Sequence, residues 1–425
     1  MLSKINTMEE NIRKAQFSKL WGLMKKGREK QPSPFHTLEA TKLRSQLIGR
    51  LFRKAYQKDS VVAWRSSFVP SEILFALDII PFPPESVIAM FANSHLTDDI
   101  LKTAEDNNHS RDVCSFLRGT VGAVINDYMP MPDFLIATSL YCHGSAQVFY
   151  SLSKKYNKPF YYIDAPYDYN RPYAIDYVAR QLEDIMKRMA KNANREFSIE
   201  RLKQTIEYSN QARDYYAKVN ELRKHKPTPM LGGEAIDYAI MLAHTFGCKE
   251  MVEICKTLYE ELKERVDKGI GSLDQERHRI LWRQLRPYYS VDLLNYIERT
   301  HRVAIAFEEA NFVYWEEMDV NEPFKSLARK LLSNYGFGPF QRWLDFTSSF
   351  VLDYSIDGII EFAHWGCRYL SANTQIVKDA LEAKKVPILV LDGDCIDRRD
   401  YSDAQIKTRI DAFVEILNRK KGYQK

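Results

Sequence analysis

The chain has no G-x-x-x-x-G-K-[ST] and no strand followed by G-x-G-x-x-G. A phosphate-cradling loop for ATP or a dinucleotide is therefore missing, and Gly269-Ile270-Gly271 and Gly336-Phe337-Gly338 are isolated pairs. There is no C-x-x-C either, so no compact zinc or redox motif presents itself among the six cysteines. No apolar run has the length of a membrane span, because the best stretch, residues 73–92, is cut by Pro81, Pro83 and Pro84. Met1-Leu2-Ser3-Lys4 leads into a polar segment without the apolar core of a secretory signal, which points to the cytoplasm. In that compartment structural disulfides are not expected. A net charge of +5, with basic residues scattered apart from clusters such as Lys25-Lys26-Gly27-Arg28, does not argue for nucleic acid. Redox work would have to draw energy or electrons from a partner.

Against these absences stands a segment that occurs twice. The first copy reads P-D-F-L-I-A-T-S-L-Y-C-H-G from Pro132 and then K-P-F-Y-Y-I-D-A-P from Lys158; the second reads I-D-G-I-I-E-F-A-H-W-G-C-R from Ile356 and then V-P-I-L-V-L-D-G-D from Val386. Each has an Asp, an apolar run, a Cys, a helix-length stretch, a Pro, another apolar run and a second Asp. The interval from Asp133 to Cys142 nearly equals that from Asp357 to Cys367, and Pro159 to Asp164 equals Pro387 to Asp392. The pattern is strand–helix–strand in both copies. Parallel strands present ligands and chemistry at their carboxyl ends, where Cys142 and Cys367 both fall. Two thiols in equivalent loops suggest one site shared between two units.

With 425 residues the chain exceeds one ordinary core. The reading is α/β, with two flavodoxin/Rossmann-like parallel-sheet domains related by the internal repeat, plus N-terminal and connecting helices. Residues 1–57 form a helical, charged arm or partner surface; 58–173 the first α/β domain; 174–276 a helical connection, broken at Lys226-Pro227-Thr228-Pro229 as a hinge or linker; and 277–425 the second α/β domain. Pro70 starts a helix at Ser71-Glu72. The last helix is capped by Ser402, with Ile406, Ile410, Phe413 and Leu417 on one face.

Cys114, in D-V-C-S-F-L-R, opens a helix, where a thiolate is favoured. Cys114, Cys142 and Cys367 thus come from three loops. Residues alone leave two readings, metal ligands or three packed thiols, and the repeat favours ligands. Three thiolates leave an iron–sulfur cubane one ligand short, which suits chemistry; a zinc site with His143 or His364 is the rival. Cys248 and Cys255 read as core. Cys395 follows the second repeat's strand, beside Asp392, Asp394 and Asp397, which read as loop structure and capping rather than cation ligands. Glu72 reads first as dipole compensation at a helix start, with a catalytic carboxylate as the alternative.

Four stretches carry a family resemblance: F-V-P-S-E-I-L-F-A-L-D-I-I-P from Phe68, D-V-C-S-F-L-R from Asp112, P-D-F-L-I-A-T-S-L-Y-C, and L-D-G-D-C-I-D-R-R-D-Y-S-D-A-Q-I-K-T-R-I-D-A-F-V-E-I-L from Leu391. With them the chain resembles the 2-hydroxyacyl-CoA dehydratase and benzoyl-CoA reductase family, over nearly everything after residue 60. The resemblance implies a 4Fe-4S cluster on Cys114, Cys142 and Cys367. It implies a related partner subunit, in a heterodimer or homodimer, and an ATP-dependent iron–sulfur activator protein that injects one electron. It implies an oxygen-sensitive lyase of anaerobic metabolism that converts a 2-hydroxyacyl-CoA to a 2-enoyl-CoA and water through a ketyl radical. The alternatives within the resemblance are an aryl-CoA-reducing oxidoreductase subunit, a double-cubane-cluster reductase and an electron-relay subunit. Glu72 would be an acid/base beside the cluster, and Ser66 and Ser67 would line the substrate site. The family segment before P-x-E often contains Gly and Cys; here Ala63-Trp64-Arg65-Ser66-Ser67 replaces it, so that Trp64 and Arg65 change what the loop touches.

Overall fold

The structure, a computed structural model, describes residues 17–18, 20–22 and 38–422. Most of the expected N-terminal arm, with the Lys25-Lys26-Gly27-Arg28 cluster, lies outside these residues. The described helix Glu39–Ala55 is built into the body, burying Ala40, Thr41, Leu47 and Phe52, with Thr41 Oγ1 donating to Glu234 Oε1 at 2.5 Å.

Two four-stranded parallel sheets organise the rest. The first contains β1 (Val62–Arg65), β2 (Ile80–Phe82), β3 (Phe134–Thr138) and β4 (Phe160–Ile163) in the order β2-β1-β3-β4. The second contains β5 (His278–Arg283), β6 (Val303–Glu308), β7 (Gly358–His364) and β8 (Ile388–Gly393) in the order β6-β5-β7-β8. The two orders are the same, so the α/β reading and the repeat hold. The central strands β1, β3, β5 and β7 are buried along their whole length. That is why they read as nearly unbroken apolar runs: helices cover both faces of a parallel sheet.

In each sheet the chain leaves the first strand for one side and returns on the other. Such a reversal opens a crevice at the carboxyl ends of the two central strands. The loops after β1 and β3, and after β5 and β7, therefore gather at two crevices.

Between the sheets run the helices Ala174–Asn192, Ile199–Leu222 and Lys249–Asp267. Their apolar stripes share one core with β1, β3 and residues 315–337. The Lys226–Pro229 break is a pinned loop rather than a free linker: Thr228 is fully buried and its N–H donates to Glu276 Oε2 at 2.6 Å. The helix Asp403–Lys421 buries Ile406, Ile410, Phe413 and Leu417, as its periodicity predicts. Ser402 stands at its N-cap, but its side chain makes no capping hydrogen bond.

Candidate active site

The two crevices open into one cavity of about 970 Å³, a size that fits a substantial organic ligand. Ser66, Ser67, Cys114, Cys142 and Cys367 all line it. Ser66 and Ser67 follow β1, Cys142 follows β3 and Cys367 follows β7.

Each cysteine stands at the N-cap of a helix. Ser145 N–H donates to Cys142 Sγ at 3.3 Å, and Leu370 N–H to Cys367 Sγ at 3.4 Å. Cys114 belongs by sequence to the first sheet but packs against the second. A Cβ on Gly366 would stand 2.6 Å from Cys114 Cα, so only glycine lets the two cysteine loops approach. Ser115 Oγ donates to Asp394 Oδ1 at 2.6 Å, and Arg118 forms a buried ion pair with Asp397 at 2.8 Å. Asp394 also accepts the N–H groups of Ile396 and Asp397. These aspartates organise the loop, as expected.

Burial, then the neighbouring thiols Cys367 and Cys142, push the Cys114 thiol up. Burial, then Glu85, pushes Cys142 up to about 12. Three thiols at one cavity, two of them met by peptide N–H groups, are a donor set that fits an iron–sulfur group. Among the described residues no three His, Cys, Asp or Glu side chains stand close enough to grip a single metal ion. Cys255 is buried in the apolar core, with half-buried Cys248 packed against it.

Glu72 is fully buried and lies behind the cavity wall. Its Oε1 accepts from Lys330 Nζ at 2.5 Å and from Ser209 Oγ at 2.7 Å. Lys330 itself lines the cavity, 4.7 Å from the Trp315 ring centroid.

Three carboxylates line the cavity, Glu85, Asp112 and Glu309; Glu85, beside Cys142, is one that the sequence reading passed over. Ser145 Oγ donates to its Oε1 at 2.5 Å, and Ser67 N–H and Oγ reach its Oε2. Burial pushes its carboxyl up. The signal was present: Pro84-Glu85 starts a helix as Pro70-Ser71-Glu72 does, and sequence cannot tell which of the two carboxylates the fold turns inward.

His244 was also missed. Trp64 and Arg65, the departures noted above, explain its place. Trp64 is core, donating from Nε1 to Pro130 O at 3.0 Å. Arg65, wholly buried, donates to His244 Nδ1 and to Ala243 O. Guanidinium has no acceptor. His244 Nδ1 is therefore the acceptor, and Nε2–H donates to Ser86 Oγ at 2.7 Å. Ser86 lines the cavity, and its hydroxyl proton is not used in this contact.

Strain collects at the same place. Phe68, Tyr141 and Gln284, in the loops after β1, β3 and β5, have φ of 69°, 65° and 65°. This region costs a non-glycine residue about 1–3 kcal/mol and is held where surrounding packing over-determines it. Phe68 and Tyr141 support each other edge to face at 4.5 Å.

Fold and site together define a two-sheet α/β protein with a three-thiol cavity between its halves. The chain belongs to the family described as 2-hydroxyglutaryl-CoA dehydratase, D-component, which it matches over residues 66–417. It is 24% identical to the (R)-phenyllactyl-CoA dehydratase alpha subunit of Clostridium sporogenes, over 87% of this chain and 92% of that protein. It is 23% identical to the (R)-2-hydroxyisocaproyl-CoA dehydratase alpha subunit of Clostridioides difficile, over 87% and 93%. It is also 23% identical to a benzoyl-CoA reductase subunit of Thauera aromatica, over 90% and 95%. Among the described residues no helix is long and apolar enough to cross a membrane.

Proposed function

We propose that this chain is the cluster-bearing subunit of a 2-hydroxyacyl-CoA dehydratase, with Cys114, Cys142 and Cys367 holding a 4Fe-4S cluster. The observation that carries this reading is the meeting of those three thiols at one cavity that also holds a carboxylate, a directed hydroxyl and an ammonium. When bound, such a cluster supplies an iron with an open coordination position and electrons at low potential. The chain's own residues would do the rest. Glu85, kept by burial toward its protonated form, exchanges a proton with the substrate. Ser86, oriented by His244 and Arg65, donates to a substrate oxygen. Lys330 places positive charge on the wall, and Glu72 acts through it as a positioning residue, not a catalytic one. The relatives are themselves named as subunits, which supports a related partner subunit here. An ATP-dependent activator protein would supply the electron.

Reduction of an aryl-CoA is the second reading. The match to a benzoyl-CoA reductase subunit favours it, as does a cavity lined by Phe68, Tyr141, Trp315, Tyr335 and Trp343, which suits an aromatic acyl group.

Iron and acid-labile sulfide in anaerobically purified protein test the proposal. About four of each per chain are expected. They should be lost in Cys114→Ser, Cys142→Ser and Cys367→Ser and kept in Cys248→Ser. Protein without iron, or with zinc, overturns it.

A further inference from the structure

His364 ends β7 with its ring buried, 1% exposed. Opposite it in register is Gly393 at the end of β8, and the chain that leaves β8 folds back over the ring. The N–H of Cys395 donates to His364 Nδ1 at 3.2 Å. A peptide N–H can only donate, so Nδ1 offers its lone pair and carries no proton. The single ring proton then resides on Nε2, which stands 3.4 Å from Cys114 Sγ. Phe116 packs edge to face against the ring at 5.6 Å and fixes its plane.

We infer that His364 is an N–H···S donor to Cys114, locked in the Nε2–H tautomer by the Cys395 peptide, and that it raises the reduction potential of the group Cys114 holds. This rests on the cluster reading above. The same tautomer removes His364 from the zinc alternative, because a protonated Nε2 has no lone pair for a metal. Hydrogen bonds to a ligand sulfur draw off electron density and favour the reduced, more negative state. Cys142 and Cys367 are met by peptide N–H groups of their own helices; Cys114 receives, besides the peptide N–H groups of Phe116 and Leu117, a side chain from the other sheet. His364 is a positioning residue that acts through the sulfur.

The test is an EPR-monitored redox titration of anaerobically purified full-length protein, comparing wild type, His364→Leu and His364→Gln. Leucine removes the donor, whereas the glutamine amide N–H reaches to about the position of Nε2. The potential should fall in His364→Leu and return most of the way in His364→Gln. Equal potentials in all three, with iron content intact, overturn the inference and leave the cluster reading standing. Iron-free wild-type protein overturns both. If His364→Leu fails to assemble a cluster, 15N–1H correlation spectra of histidine-labelled wild type decide the matter. An Nε2–H tautomer for His364 supports the donor, and an Nδ1–H tautomer or imidazolium overturns it.

Discussion

Removing Glu72 should destabilise the protein, and removing its partner as well should restore it. The carboxylate is wholly buried, and Lys330 is only 11% exposed at its side chain, so solvent screens the pair little. Breaking a buried ion pair from one side strands a charge and costs about 3–5 kcal/mol. Glu72→Leu takes the carboxylate from the Lys330 ammonium and leaves it against the Phe246 and Trp315 rings, at 5.1 and 4.7 Å, on the cavity wall. Lys330→Met leaves a carboxylate held by Ser209 alone, with Oε2 already lacking a hydrogen-bond partner. Each single substitution should therefore cost about 3–5 kcal/mol. The double variant should cost clearly less than their sum, since apolar pairs of similar volume often replace buried ions at little loss. Urea denaturation of the four proteins, all in the same metal-loading state, measures the cycle. Single variants that each cost under about 1 kcal/mol, the range of an exposed pair, would refute the reasoning. So would a double variant whose cost equals the sum. Glu72 would then be free for chemistry at the substrate.

Gly366→Ala should cost about 1–3 kcal/mol, as overpacking does, and more tellingly should lower iron content, because the added methyl meets Cys114 backbone rather than a movable side chain; iron and sulfide analysis checks it against Cys248→Ser. Glu298 gives a pH prediction. Burial pushes its carboxyl up to about 7, against the backbone donors Gly233, Gly232 and Ile305. A raised folded value means that the folded chain binds the extra proton, so stability is full below the unfolded value near 4.5 and is lost as pH rises through about 7. Relative to Glu298→Gln, wild type should lose about 3 kcal/mol across that window in urea titrations; a constant difference between the two would contradict it.

Both sheets were legible in the sequence for a physical reason. β3 and β7 are covered on both faces, so they must be apolar throughout, and each is followed by a cysteine at a helix start. The repeat made those two cysteines equivalent, and Cys114 was found by its own helix start. What sequence could not supply was the rotation of helices and the contacts between distant segments. Glu72 and Glu85 both occupy the first turn of a helix after a proline, yet one turns toward Lys330 in the core and the other toward the cavity. Glu85 is held there by Ser145, sixty residues away. His244 arrives from the connecting helices because Arg65 reaches 179 residues along the chain. The repeat encodes the scaffold; long-range polar pairs select which side chains face the ligand.

That division also explains why a duplicated scaffold carries a site without symmetry. The loops after β1 and β5 are equivalent by position, and each holds a strained residue at the cavity, Phe68 and Gln284. After β1 the polar groups remain open to the ligand: Ser67 and Ser145 hold Glu85, and Ser86 keeps a free proton. After β5 they are consumed. Arg283 pairs with Glu309 and Glu361, Gln284 donates to Glu361 at 2.8 Å, and Trp343 and Thr347 take up the rest of Glu309. The pairing is dense but incomplete: Arg283 Nη2 and Gln284 Oε1 are buried without a hydrogen-bond partner, and a network so tied down is stiff. It gives the cavity a rigid wall at one end, while exchangeable protons gather at the other. Cys114, reaching from the first half onto the second, joins the two halves at the cavity.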